Sequence, residues 1–582
     1  MYIDGKVWIG NNDQGERISI IPKMVNRHGL VAGATGTGKT VTLKVMAETF
    51  SDMGIPVFMA DVKGDIAGMM NPGTDSEDMQ KRIEKFNLTD AGFAYKGYPV
   101  TLWDIYGVKG IQLRTTISEM GPMLLARILD LNDLQSDILT IIFKIADDRK
   151  WFLIDTKDLK SVLNYVSDHR GLFEGEYGKM SPASISTIVR AVVALEAAGG
   201  DVFFGEPALR ISDWLTLGDG GKGMINILDS ESLINNGKMY SAFLLWMLSE
   251  LFETLPEVGD LPKPKMVFFF DEAHLLFNGA PKQLLDKIEQ VVKLIRSKGV
   301  GVYFCTQNPK DIPDGVLAQL GNKVQHGLHA YTPSDQKAVK AAAMSFRANP
   351  AFDTEETLTS LGTGKAVVSF LGEDGVPGMA QKVAVLPPQC SMGSIGDGQR
   401  EQSVKSSLFY SKYAEGYDPE SAYEILMRLG QEEQAREEQA AAEAAQVKED
   451  ARLAKEQAKA DEKAAREAEK ESAAKNRAIK SVGNSVLGTI GRAAGRSIGG
   501  SVGGSLGRSV GGNLGASLVR VLLGTFFIRY RLPVFLLEVY DEKTFSGRQY
   551  LCIPLFGGYW LWRRKYGGIS EDSGGGSKKY DG

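Results

Sequence analysis

Residues 29–46 read GLVAGATGTGKTVTLKVM, and the fold turns on how this stretch is read. Gly33-Ala34-Thr35-Gly36-Thr37-Gly38-Lys39-Thr40 fits the phosphate-binding pattern G-x-x-x-x-G-K-[ST]. An apolar run of strand type, HGLVAG (28–33), precedes it, and KTVTLKVMAETF opens a helix behind it. In that context the turn aims backbone N–H groups and a helix N-terminus at phosphates. Lys39 would reach the β- and γ-phosphates and the Thr40 hydroxyl would hold Mg²⁺, so ATP and Mg²⁺ are the expected cofactors.

Working outward, further short apolar runs alternate with helical patterns up to about residue 395. They are IPVFMAD (55–61), GMINIL (223–228), KMVFFFD (265–271), GVYFCTQ (301–307), VQHGLHAY (324–331) and KAVVSFL (365–371). Most are apolar throughout, as strands covered on both faces should be. The alternation predicts an α/β domain over 1–395 with a mostly parallel sheet. Residues 115–215 carry apolar positions at helical spacing and read as a helical insertion between the second strand and the rest of the sheet.

KMVFFFDEAH supplies the second chemical element. A hydrophobic strand ending in Asp271-Glu272 offers one carboxylate for the Mg²⁺ shell and a second to orient and deprotonate the attacking water. A simple acidic cap after a core strand would explain Asp271 but not its neighbour. The pair points to hydrolysis that moves something rather than to a small-molecule kinase. GVYFCTQ then ends in Gln307, which is either a sensor of the γ-phosphate on an adjoining strand or a polar strand end opening the loop QNPKDIPD, and the order P-loop, Asp-Glu, Gln favours the sensor.

Taken together, VAGATGTGKT, VFMADVKGD, VFFFDEAH and IRSKGVGVYFCTQNPKDIP resemble the HerA/FtsK superfamily of P-loop ATPases over roughly residues 20–390. The resemblance is to the HerA-like bacterial proteins. It implies a RecA-like core of the additional-strand, catalytic-glutamate (ASCE) type with sheet order 5-1-4-3-2 and the Gln307 strand between the P-loop and Asp271 strands. It also implies a hexameric ring, ATP bound between subunits, and a DNA-translocating or related pumping role. Such rings use an arginine from the neighbouring subunit against transition-state charge. Arg296 and Arg347 are the two candidates, each with an ordinary surface ion pair as its alternative. Asp61, Lys63 and Asp65 of DVKGD either contact the pore or the site, or form a solvated turn. The chain also departs from the family. HerA itself carries a β-barrel ahead of its P-loop that helps to dock a nuclease, whereas 32 residues precede Gly33 here. On this resemblance a nuclease partner is not the expectation, and no winged-helix DNA reader is recognisable.

Beyond a polar connector (396–428), residues 429–480 are dominated by Ala, Glu, Lys, Gln and Arg and read as a long solvated helix. Glycine then recurs every fourth residue within 481–516, which accounts for much of the excess of 66 glycines. That repeat is either a flexible linker or a helix with a small-residue packing stripe. The apolar, aromatic tail (517–582) is interrupted by Arg520, Arg529, Arg531 and Pro533, short of the requirement for a spanning helix. It is either a small packed appendage or an interfacial membrane contact through Trp560, Trp562 and the Arg563-Arg564-Lys565 cluster.

A net charge of −5 argues against a protein that coats nucleic acid, but not against a narrow basic channel. The start shows no secretory pattern, and three widely spaced cysteines suggest a reducing cytoplasm, with a peripheral inner-membrane location if the tail binds lipid. The leading expectation is a ring-forming, Mg²⁺-dependent ATPase that translocates duplex DNA through its pore. The competing one is a membrane-associated or assembly ATPase that remodels a protein substrate. A slow nucleotide switch is a third reading, and Glu272 speaks against it.

Overall fold

The structure, a computed structural model, describes residues 1–277 and 282–483. Nearly all of the glycine repeat and the whole aromatic tail therefore lie outside the described residues.

Among the described residues thirteen strands form one mixed sheet. In chain order they are β1 (Tyr2–Ile3), β2 (Lys6–Asn12), β3 (Arg17–Ile20), β4 (Gly29–Ala32), β5 (Val57–Asp61), β6 (Val100–Asp104), β7 (Ile111–Gln112), β8 (Ile225–Asp229), β9 (Met266–Phe270), β10 (Val300–Thr306), β11 (Asn322–His326), β12 (Lys365–Ser369) and β13 (Gln381–Val385). Across the sheet the order is β1-β2-β13-β12-β11-β4-β10-β9-β5-β8-β6-β7, with β3 paired to β2. The run from β11 to β7 is parallel. The flank from β12 to β1 is antiparallel.

The central strands are apolar throughout because they are buried on both faces. Leu30, Phe58, Phe268, Phe270, Val302 and Phe304 join one core with the helical insertion and the helix Gly237–Thr254. Their alternating neighbours Val31, Val57, Met59, Val267, Phe269 and Tyr303 meet Leu43, Met46 and Phe50 of the P-loop helix, Lys39–Asp52, on the other face. A residue repeat of two within each strand thus divides two hydrophobic cores.

The insertion is helical, running from Ile117 to Phe203 in several pieces. It enters after β7 and not directly after β5, because VTLWD (β6) and the two-residue β7 also join the sheet. One stretch of it, Pro182–Phe203, is long and apolar enough to cross a membrane by length and composition. Its residues Ile185, Ile188, Val192 and Leu195 are nevertheless buried in the core beneath. The antiparallel flank is the other departure. The residues ahead of the P-loop form a hairpin whose β2 pairs with β13 near the end of the domain, giving Val7, Trp8 and Ile9 a buried setting.

One compact unit spans Met1–Ala454, and the described residues beyond it, 455–483, fall outside that unit. The charged segment is helical, as Ala422–Gly483, and starts seven residues before the expected boundary. Its N-terminus is tied down by Asp158, whose carboxylate accepts from the Tyr423 N–H at 2.8 Å.

Candidate nucleotide site

Strand register assembles the site. Thr306 of β10 lies opposite Ala32 of β4, Phe304 opposite Phe270 of β9, and Ala60 of β5 opposite Phe270. The C-terminal ends of four adjacent parallel strands are therefore nearly level. The segments that leave them carry Gly33–Thr40, Asp271-Glu272, Gln307 and Asp61–Asp65. This carboxyl edge is where open α/β sheets place ligands.

The P-loop turn is built on glycine at its first position. Gly33 has φ +153°, and a Cβ there would stand 2.5 Å from the His326 Cβ. Its N–H donates to the Thr306 carbonyl at 3.2 Å, and Ala34 N–H donates to Gly327 at 2.9 Å, so the loop is pinned to β10 and to the end of β11. Lys39 is buried, and its ammonium donates back to the carbonyls of Gly33 (2.7 Å) and Ala34 (3.2 Å). Beneath the loop, His326 is fully buried between Thr42 Oγ1 (2.9 Å) and the Lys365 carbonyl (3.0 Å). Burial holds its pKa down at about 4. The neutral ring then donates from Nδ1 to Lys365 and accepts from Thr42 at Nε2.

The two carboxylates behave differently. Asp271 is 3% exposed, accepts from the Glu272 N–H at 2.9 Å, and is pushed above its ordinary pKa by burial. Glu272 sits at φ +46°, an uncommon backbone setting for a residue other than glycine. Burial disfavours its charge too, but the Lys63 ammonium at 2.7 Å more than offsets this and holds its pKa below the ordinary value. Gln307 Nε2 lies 3.3 Å and 3.5 Å from its two oxygens, and His274 Nδ1 stands at 3.3 Å.

Lys63 is thus the cation of DVKGD that meets the site. Its loop is shaped by Asp61, which accepts from the N–H groups of Lys63 (3.2 Å), Gly64 (2.7 Å) and Ile66 (3.0 Å). Burial, with Asp65 close by, raises the Asp61 pKa to about 6. The same loop is bolted to the P-loop helix by buried Lys44, which donates to the carbonyls of Asp65 (2.7 Å) and Ser391 (3.0 Å). One helical turn on, Glu48 accepts from the N–H groups of Gln389 (3.0 Å) and Cys390 (2.7 Å). The helix that carries Lys39 and the loop that holds Glu272 consequently form one hydrogen-bonded assembly. The sequence alone leaves the role of Lys63 open and does not mark His274; a DVKGD turn carries no pattern that names its partner.

Arg296 and Arg347 are not brought to this chain's own site. Arg296 lies just before β10, at the opposite end of the sheet, 3.7 Å from Asp260. Arg347 is exposed, bridges to Met379 on the antiparallel flank, and has no ion pair among the described residues.

The residues present suit ATP with Mg²⁺. The Thr40 hydroxyl and the buried Asp271 carboxylate are the oxygen donors a hard divalent ion takes, and a cation there would relieve the burial of Asp271. Among the described residues no group of three or more His, Cys, Asp and Glu side chains is placed to hold a metal by itself. Strand, glycine-rich turn, helix, acidic pair and strand-end glutamine, on one edge of a parallel sheet, define a P-loop ATPase of the HerA/FtsK type.

Residues 6–508 match the family described as Helicase HerA-like C-terminal, and the chain belongs to that family. It is an ATP-hydrolysing enzyme. It is 24% identical over 387 residues to the DNA double-strand break repair helicase HerA of Sulfurisphaera tokodaii, covering 63% of this chain and 67% of that one. It is also 30% identical over 146 residues to a probable helicase of Methanocaldococcus jannaschii, covering 24% and 26% of the two chains. The chain thus spans about two thirds of the first relative and about a quarter of the second. Among solved structures it is similar to the bacterial conjugative coupling protein TrwB in its deltaN70 form, with a TM-score of 0.44 and 16% identity over 65% of this chain and 90% of that one.

Proposed function

We propose that the chain is a Mg²⁺-dependent motor that assembles as a hexameric ring and couples ATP hydrolysis to the translocation of duplex DNA. The observation that carries the reading is Glu272: a carboxylate held below its ordinary pKa beside Asp271, on the same sheet edge as the P-loop and within reach of Gln307. A group that stays ionised near neutrality can take a proton from water as the γ-phosphate is attacked. Mg²⁺, held by Thr40 and Asp271, would neutralise phosphate charge. Lys39 would leave the carbonyls of its own loop for the phosphates, and Gln307 would pass the state of the γ-phosphate to β10. The central order β11-β4-β10-β9-β5 supports a 5-1-4-3-2 core, counting β4 as first. Family membership and the name of the HerA relative support DNA as the substrate. Of the two arginines, Arg347 is the one we take to reach a neighbouring subunit: it is exposed and, among the described residues, holds no ion pair and only a 3.5 Å contact to the Pro377 carbonyl, whereas Arg296 stands beside Asp260.

The test is ATPase rate for wild type and Glu272→Gln, with and without linear duplex DNA, at low and moderate salt. The motor reading expects several-fold stimulation by DNA that weakens with salt, as phosphate contacts do. It also expects a variant that binds ATP and hardly turns over. Hydrolysis indifferent to DNA would remove the DNA claim and favour a protein substrate. An active Glu272→Gln would remove the assigned base. In the same assay Arg347→Ala should lower turnover with ATP affinity retained.

A further inference from the structure

A concavity of about 340 Å³ lies close to the P-loop, and no part of the catalytic chemistry above uses it. The short helix Glu77–Lys85 supplies Lys81, Arg82 and Lys85 to its wall, and the segment leading into β12 supplies Thr363, Gly364 and Lys365. Asp78 is the one carboxylate in this lining.

The pocket begins where the phosphate cradle ends. Gly364 N–H donates to the Thr37 carbonyl at 3.0 Å, and the same nitrogen lies 3.3 Å from where a Cβ on Gly38 would be. On the helix side Val41, in the first turn after Lys39-Thr40, packs in one apolar cluster with Ile83 and Phe86. A nucleotide whose phosphates are wrapped by Gly33–Thr40 therefore has this wall within reach. The volume is at the lower end of the range for small-molecule sites and suits a sugar and base rather than a whole nucleotide.

Arg82 is the feature that gives the pocket a chemistry. Its guanidinium lies against Gly364, with its nitrogens 3.0 and 3.2 Å from the position a Cβ would take. It is partly buried, and it has neither an ion pair nor a side-chain hydrogen bond among the described residues. A planar, weakly hydrated cation without a partner is suited to stacking on an aromatic ring. The phosphates have their own donors in the P-loop and Lys39.

We propose that this pocket is the nucleoside subsite, taking the sugar and base of the bound nucleotide, with Arg82 stacked on the base. The proposal rests on the reading of Gly33–Thr40 as the phosphate site. It is tested by titrating the full chain with ATP and, separately, with inorganic tripolyphosphate, both with Mg²⁺. Wild type, Arg82→Ala, Arg82→Lys and Lys39→Ala are compared, with far-UV circular dichroism to confirm folding. Arg82→Ala should weaken ATP by about 3–30-fold, the span of a cation–π contact, and leave tripolyphosphate unchanged. Arg82→Lys, which keeps the charge but not the plane, should not restore ATP affinity, and it carries the test if the alanine variant does not fold. Equal losses for both ligands, no loss for either, or full recovery with lysine would overturn the proposal. Failure of the underlying reading looks different: wild type would bind neither ligand, or Lys39→Ala would change neither.

Discussion

Removing the Lys63 ammonium, as in Lys63→Met, asks whether the ion pair with Glu272 shapes the base. The pair is short, 2.7 Å, and unevenly exposed, with side-chain exposures of 43% for Lys63 and 6% for Glu272. At an effective dielectric constant near 20 two charges this close would attract by about 6 kcal/mol, but exposed pairs are screened and lose side-chain entropy. Discounting for the half-exposed lysine leaves about 1–2 kcal/mol. The Glu272 carboxylate would keep Gln307 at 3.3 Å, which limits the loss. A urea-unfolding cycle of wild type, Lys63→Met, Glu272→Gln and the double variant should return a coupling of about 1 kcal/mol at pH 7. The sign with pH follows from the depressed pKa of Glu272. Its contribution is complete above the ordinary carboxylate range and is lost as pH falls through the lower, folded-state value. The cost of Lys63→Met should therefore shrink below about pH 4. Additive single variants, or a cost that does not change with acid, would refute the argument that this contact sets the state of Glu272.

Other outcomes follow from the same contacts. Gly33→Ala must push its Cβ against His326 Cβ, 2.5 Å away, and should cost about 1–3 kcal/mol in unfolding experiments while abolishing ATP binding. Lys44→Met leaves the carbonyls of Asp65 and Ser391 without their donor and should cost about 1–3 kcal/mol or more; a change under about 0.5 kcal/mol would show that the bolt between helix and loop is not structural. His28 and His326 are both buried with pKa values lowered to about 4, so the unfolded chain takes up their protons first as pH falls. Stability should be complete above about pH 6.5 and decline by up to about 3 kcal/mol per histidine between there and pH 4, and NMR titration should find both rings neutral at pH 6.

Local order and covalent spacing were legible in the sequence. Gly33–Thr40 announces its own turn because glycine positions, the lysine and the hydroxyl act within one loop. The fully apolar strands announce burial on both faces, and Asp271-Glu272 is marked by the core strand that precedes it. Ala, Glu and Lys in the segment from 429 favour helix whatever surrounds them. What the sequence could not decide depends on pairing between distant segments. The antiparallel flank joins residues near 10 to residues near 384, through β2 and β13, and neither strand carries a strong pattern alone. Lys63 and Glu272 are 209 positions apart and meet because β5 and β9 are neighbours in register. Arg296, close to Gln307 in sequence, ends at the other edge of the sheet because a seven-residue strand separates them. Arg82 and Gly364 share no motif, and only the packing of the short helix against the P-loop helix places one on the other. Backbone propensity and hydrophobic period act over a few residues, whereas strand order and register, fixed by the burial of both sheet faces, choose which side chains share the site.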